Sequence, residues 1–388
     1  MTTPLQTSAD IVYVPHGTPN SQSSVQPYQL EPFNLVDSPA LPRRQWIIWG
    51  ALIRRYVTMW LAPGGVGKSS YSFPLAMGLA AGRDVLGLGL AVEDPIRVWI
   101  ANLEDDQTEL NRRAIAAAKH HDISLDELGD RLFLTSGRQQ PIKITNPDGS
   151  ISAQEVLKMK DVIDAKNLDV LVIDPFVHSH HAPENDNGAM AAVMEAWSEI
   201  ADNTNTAIIL VHHVRKGGGE VTTESTRGAS SLTGAARVAL TFNRMTDDEA
   251  GEWGVENPRQ FFRTYADKGN LAPAPEKSDW FRLHNVPLQN GDEVGVVGRW
   301  HPPKLFDRVP SDAPDRVTRV LASTPRNRTS DQSPEWFGYD VAELFELDPD
   351  GDRRKIKKML QQWLKNEVIV KAKAPDANGI ERPIFKAK

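Results

Sequence analysis

The chain has no cysteine among its 388 residues. That excludes a disulfide framework, thiolate catalysis and any zinc site built on cysteine. No apolar run reaches the roughly 18 residues that a spanning helix needs, so no membrane partner is expected. The N-terminus lacks a basic-then-apolar leader pattern, and the expected location is the cytoplasm. An overall excess of positive charge is also missing: the net charge is −7, which by itself gives no reason to expect a polyanionic partner. What remains is ordinary for a globular protein, with 40% hydrophobic and 24% charged residues and length enough for two or three domains.

The charge is unevenly spread. Residues 351–388 hold eleven Lys or Arg against four acids, a balance of +7, which leaves −14 for the rest. An acidic body with a basic end suggests that the end meets a polyanion.

The most informative segment is residues 62–69, Ala-Pro-Gly-Gly-Val-Gly-Lys-Ser. It fits the phosphate-binding loop G-x-x-x-x-G-K-[ST] except that Ala62 stands at the first glycine. An apolar strand pattern precedes it and an apolar helix pattern follows, which is the context the motif requires. Gly64, Gly65, Val66 and Gly67 would turn backbone N–H groups toward the phosphates of ATP, joined by Ser70 at the helix start. Lys68 would reach the β- and γ-phosphates, and the Ser69 hydroxyl would hold Mg²⁺. Pro74 inside the helix predicts a kink or a late start.

Residues 1–43, rich in Pro, Ser, Gln and Thr, read as a disordered arm. Strand and helix patterns then alternate, predicting an α/β domain over 44–301 built on a parallel sheet with helices on both faces. Its later part, residues 255–300, reads as a strand-rich extension. A linker at 302–314 leads to a small module at 315–388.

Two apolar strands end in acids. Val170-Leu171-Val172-Ile173 delivers Asp174 to the C-terminal edge, where it would bind Mg²⁺. Val98 to Leu103 ends in Glu104-Asp105-Asp106, and Glu104 is the expected general base; capping of the next helix is the plainer role for these acids. A third strand, Ala207–Val211, delivers His212 and His213. His212 is the preferred γ-phosphate sensor, although neighbours on a strand point oppositely and His213 stays open. The cluster His178-Ser179-His180-His181 lacks the accompanying ligands of a metal site.

This order of phosphate loop, strand-end Glu104, Asp174 and His212-His213 resembles RecA-type ATPases. The segments Val211-His212-His213-Val214-Arg215-Lys216, Arg227-Gly228-Ala229-Ser230-Ser231-Leu232-Thr233-Gly234-Ala235-Ala236-Arg237 and Tyr265-Ala266-Asp267-Lys268-Gly269-Asn270 resemble the RepA-type branch of hexameric replicative helicases. The resemblance covers about residues 44–300. It implies a RecA-like fold, a homo-oligomeric ring (usually a hexamer) and nucleotide between neighbours. It also implies a trans-acting cation, with Arg237 the first candidate and Lys268 and Arg263 behind it. Two loops would line a channel for single-stranded DNA: one holds His178 to His181, the other Lys216 to Thr226 with Arg215, Lys216 and Arg227 as phosphate contacts.

The last module predicts three helices followed by two strands around an Asp-Ala-Asn-Gly turn, the order of a winged helix-turn-helix. Its third helix carries Arg353, Arg354, Lys355, Lys357 and Lys358, placed to meet duplex DNA, although the same fold also docks proteins. The expected activity is ATP hydrolysis coupled to helicase movement in DNA replication. The alternatives are an ATP-controlled regulator or loader that does not unwind DNA, and a recombinase that forms filaments.

Overall fold

Short aliphatic and β-branched runs build the centre of the molecule. The computed structural model describes residues 41–214, 220–223, 230–303, 305–307, 309–376 and 378–388, together with Phe33. The chain divides into two compact units, Met1–Arg43 and Arg44–Lys388. Of the first, only Phe33 and residues 41–43 are described; the second holds all the elements below.

A small hairpin, β1 (Trp46–Ile48) and β2 (Leu52–Ile53), opens this unit. Then come β3 (Val57–Pro63), α1 (Lys68–Ala81), β4 (Val98–Asn102), α2 (Gln107–His121), α3 (Leu125–Leu128) and β5 (Leu132–Ser136). They are followed by α4 (Ala153–Lys166), β6 (Val170–Asp174), α5 (Asn187–Asn203), β7 (Ala207–Val214), α6 (Ser230–Ala235), β8 (Val238–Arg244) and α7 (Asp247–Trp253). Three long strands, β9 (Phe261–Gly269), β10 (Asp279–Pro287) and β11 (Glu293–Trp300), complete one nine-stranded sheet of order β11-β10-β9-β8-β3-β7-β6-β4-β5.

From β8 to β5 every neighbouring pair is parallel, whereas β9, β10 and β11 join antiparallel. The mostly parallel sheet agrees with the RecA-like α/β expectation, and residues 255–300 do form its strand-rich extension. Alternation along β3 explains the two layers of core. Trp60 and Ala62 face α1 and α2, whereas Met59 and Leu61 face α4 and α5.

The starts of α2, α4 and α5 follow local capping. Asp106 accepts a hydrogen bond from Glu109 N, Ser152 from Glu155 N, and Asp186 from Gly188 N and Ala189 N. The predicted late start of α1 does not occur. The helix begins at Lys68 and passes Pro74 without a break.

The C-terminal region packs α8 (Ala313–Ser323), α9 (Gly338–Leu344) and α10 (Arg353–Lys365) around Val317, Phe337, Val341, Ile356 and Trp363. The antiparallel pair β12 (Ile369–Pro375) and β13 (Glu381–Ala387) follows. Residues between α8 and α9 join its edge, because Phe385 N donates to Asn327 O at 2.8 Å and Arg328 bridges Ile384.

Candidate functional site: a phosphate loop with strand-end acids

Because β3, β4, β6 and β7 run the same way, everything that follows their last residues gathers at one edge of the sheet. The register is close: Asn102 pairs with Asp174, and Ala62 pairs with His213. This is the edge where parallel sheets build binding sites.

The loop between β3 and α1 needs glycine at two points. Gly65 and Gly67 have φ of +73° and +109°, conformations that L side chains rarely adopt. At Gly67 a Cβ would also press on Phe262 and Leu283, at 3.4 and 3.5 Å, so the antiparallel extension backs the loop. Gly64 has open space around it.

Lys68, only 3% exposed, reaches back over this loop. Its Nζ donates to Ala62 O at 3.0 Å and Pro63 O at 3.1 Å and lies 3.3 Å from His213 Nδ1. Burial lowers its pKa to about 8, against the opposing pull of Asp174 and Glu104. Asp174 is 2% exposed at the end of β6. Burial raises its pKa to about 6, opposed by a hydrogen bond from Ser69 and by the charge of Lys68.

The donor set fits Mg²⁺. Ser69 and Asp174 meet, and the buried Oδ2 of Asp174 has no hydrogen-bond partner among the described residues. When bound to the nucleotide, the ion would neutralise charge on the phosphates. Ser69 and Asp174 are the residues that would hold it.

The three acids after β4 divide their tasks. Asp106 caps α2, and Asp105 pairs with Arg113 at 2.9 Å. Glu104 is exposed, and its carboxylate makes no ion pair or hydrogen bond among the described residues. It is nevertheless close enough to act on Lys68, Asp174 and His213. Asn102 fixes this turn, accepting from Glu104 N at 3.0 Å and Asp105 N at 2.8 Å. Sequence reading missed Asn102. Its signal is an Asx residue two and three positions ahead of the acids, the spacing of a side chain that closes a turn.

The two histidines separate as alternation requires. His213 is the one that reaches Lys68. His212, the preferred candidate from sequence, is buried on the other face, 6.3 Å from the Phe176 ring and 3.8 Å from Glu184. Burial lowers its pKa to about 4 and keeps it neutral. In the segment after Asp174, Ser179 and His180 are buried, whereas His178, His181 and residues 183–188 are exposed. Among the described residues no three or more His, Asp or Glu side chains group together as a metal cluster.

Arg237, Lys268 and Arg263 do not join the phosphate loop of their own chain. Arg237 immediately precedes Val238, which pairs with Thr58, so it lies level with Val57, about 16 Å of strand below Ala62. Lys268 sits beside it, with Nζ donating to Gly234 O at 3.0 Å. Arg263 is committed to Glu249 at 2.5 Å and Glu220 at 2.7 Å. A different arginine touches the loop: Arg244, at the end of β8, donates to Gly65 O at 2.5 Å. No motif marked it. Arg215, Lys216 and Arg227 lie outside the described residues.

A family model described as AAA domain matches residues 22–219, half of the chain. The chain belongs to that family. With its phosphate loop, this AAA domain is a nucleotide-binding ATPase, as the sequence leads one to expect. Among solved structures the chain is similar to an ATPase domain at 11% identity and a TM-score of 0.43, covering 59% of this chain and 82% of that one. It is also similar to the crystal structure of the RadB recombinase at 15% identity and a TM-score of 0.39, covering 60% and 88% respectively. No helix among the described residues is long and apolar enough to cross a membrane.

Proposed function

We propose that this AAA-domain ATPase is a ring-forming, DNA-dependent enzyme of the replicative-helicase kind, with six subunits and ATP hydrolysed between neighbours. The observation that carries this reading is the separation of two sets of residues. Lys68, Ser69, Glu104 and Asp174 gather at one edge of the sheet. Arg237 and Lys268 lie near the opposite edge, away from the loop of their own chain, and in this reading they serve another subunit's. A trans cation of this type neutralises charge on the transferred phosphoryl group. Arg263 is the weaker candidate because two carboxylates already hold it. His213 takes the sensor role in this reading, since it touches the lysine that touches the phosphates.

Glu104 would orient and deprotonate the attacking water. Glu104→Gln should therefore lower turnover by about 10²–10⁴-fold while ATP binding survives. Phosphate release together with binding of a fluorescent nucleotide checks this, and unchanged turnover would remove Glu104 from the mechanism.

The C-terminal region would be a winged-helix module contacting duplex DNA. Support comes from its three helices, its hairpin edged by residues 327–329, and the exposed Lys371, Lys373 and Lys386. Single-stranded DNA would pass through the ring against the segments holding Arg215, Lys216 and Arg227. Adding single-stranded DNA should raise the hydrolysis rate several-fold, and a rate indifferent to DNA would count against this. Strand displacement separates a helicase from a regulator or loader, which binds DNA without parting it. The pairing of Arg354 and Lys358 with acids of the ATPase body gives the regulatory alternative its one specific support.

A further inference from the structure

Helix α7 carries four acids and no base in seven residues, Asp247-Asp248-Glu249-Ala250-Gly251-Glu252-Trp253. Its apolar side is fixed. Ala250 is buried, and Trp253 packs on Trp280 and Trp300 at 4.9 and 5.6 Å. A capping box joins Thr246 and Glu249 at its start, and Glu249 turns to Arg263. Asp248 and Glu252, one helical turn apart, are left facing α10.

α10 presents the matching pair. Its apolar face, Ile356, Met359, Leu360 and Trp363, belongs to the C-terminal core. Arg354 and Lys358 project to the other side. Arg354 Nη1 lies 2.8 Å from Asp248 Oδ1, and Lys358 Nζ lies 2.5 Å from Glu252 Oε1. A cleft of about 450 Å³ between the helices is completed by Lys357 and Gln361.

We propose that α7 occupies, in cis, the surface of α10 that would otherwise engage the phosphates of duplex DNA, so that DNA binding must displace the C-terminal module from the ATPase body. The inference rests on the reading of α10 as a DNA-contacting helix.

Three observations carry it. Two carboxylates about 5–6 Å apart along a helix present negative groups much as successive phosphates of one strand do. The pairs are exposed, with side-chain accessibilities of 60% and 87% in one and 45% and 34% in the other, so each holds weakly and yields to salt. The apolar clusters of the two regions share no residue, so no common core backs the charges. A contact held this way can lose to a polyanion that offers many phosphates. Lys355, Lys371, Lys373 and Lys386 make no ion pair among the described residues and are placed to begin the exchange.

The test uses the full chain and a labelled duplex oligonucleotide. The Asp248→Asn, Glu252→Gln variant should bind about tenfold more tightly than the wild type at low salt, with the gap narrowing as salt rises. Adding Arg354→Gln and Lys358→Gln should cancel the gain. Docking is read independently, because a chain without cysteine accepts a single engineered thiol pair: Glu252→Cys with Lys358→Cys, joined by a short bifunctional maleimide. Duplex should lower the cross-linking yield. Equal affinity of wild type and the neutralised variant, with cross-linking indifferent to bound duplex, overturns the proposal while leaving DNA binding intact. Failure of either form to bind duplex overturns the DNA reading of α10 itself, and the proposal with it.

Discussion

Lys68→Ala is expected to reduce ATP turnover by at least about 10³-fold, the size of effect that follows loss of a placed charge in a water-poor site, while the protein stays folded. The side chain is almost wholly enclosed, its amine held by two loop carbonyls and His213. Alanine removes the only lysine of the loop and leaves the glycine turn that shapes it. Stability should move little or rise near neutral pH, for a reason that can be worked out in sign. Burial depresses the folded-state pKa to about 8, against 10.5 for an ordinary lysine. Below pH 8 the folded chain carries a buried charge that the unfolded chain holds in water. Above it the folded chain sheds its proton first, so the penalty fades as pH climbs toward 10.5. Thermal melts at pH 7 and pH 9.5 should therefore show the wild type gaining on the variant at the higher pH. Phosphate-release assays measure turnover. Turnover retained by a folded variant would overturn the site.

Much of this arrangement is legible in the sequence because it depends on local rules. Strands buried on both faces read as unbroken apolar runs, and Val170 to Ile173 and Val98 to Ala101 end where the chain turns polar. Parallel strands then force Glu104, Asp174 and the histidines to the edge where the phosphate loop lies. What the sequence leaves open is whatever depends on facing. Alternation separates His212 from His213 but does not say which looks at Lys68; the register against Ala62 decides it. Charge alone also cannot distinguish a free cation from a committed one. Arg263 and Arg237 look alike in the sequence, and only the structure seats the first between Glu249 and Glu220. The same holds for α10, whose basic run is plain while the acids opposite it lie more than a hundred residues away. Arg244 follows no pattern at all, because its contact to Gly65 depends on β8 lying beside β3. Pro74 misleads for a related reason: an N–H lost within one helix is tolerated where α1 is packed on almost every side.

Asp174→Asn should give the sharpest separation of function from stability. Turnover is expected to fall by about 10²–10³-fold, since the amide cannot supply the anionic oxygen that the nucleotide's Mg²⁺ requires and several kcal/mol of charge stabilisation go with it. The folded protein, by contrast, should become more resistant to heat at pH 7.5. In the wild type a carboxylate is buried with one oxygen lacking a hydrogen-bond partner among the described residues, and burial holds its pKa at about 6 rather than 3.8. A raised carboxyl pKa means that the folded state binds the proton more tightly than the unfolded one. The wild type is then penalised fully above pH 6, and the penalty disappears as pH falls through 6 toward 4. Attraction to Lys68 works the other way and trims the gain without reversing it, since burial is the largest influence on Asp174. The advantage of Asp174→Asn in melting temperature, measured without nucleotide or Mg²⁺, should accordingly be greatest at pH 7.5 and shrink below pH 6. A variant less stable than wild type at pH 7.5, or an advantage that grows on acidification, would show that Asp174 is held by structural bonds rather than kept poised for a cation.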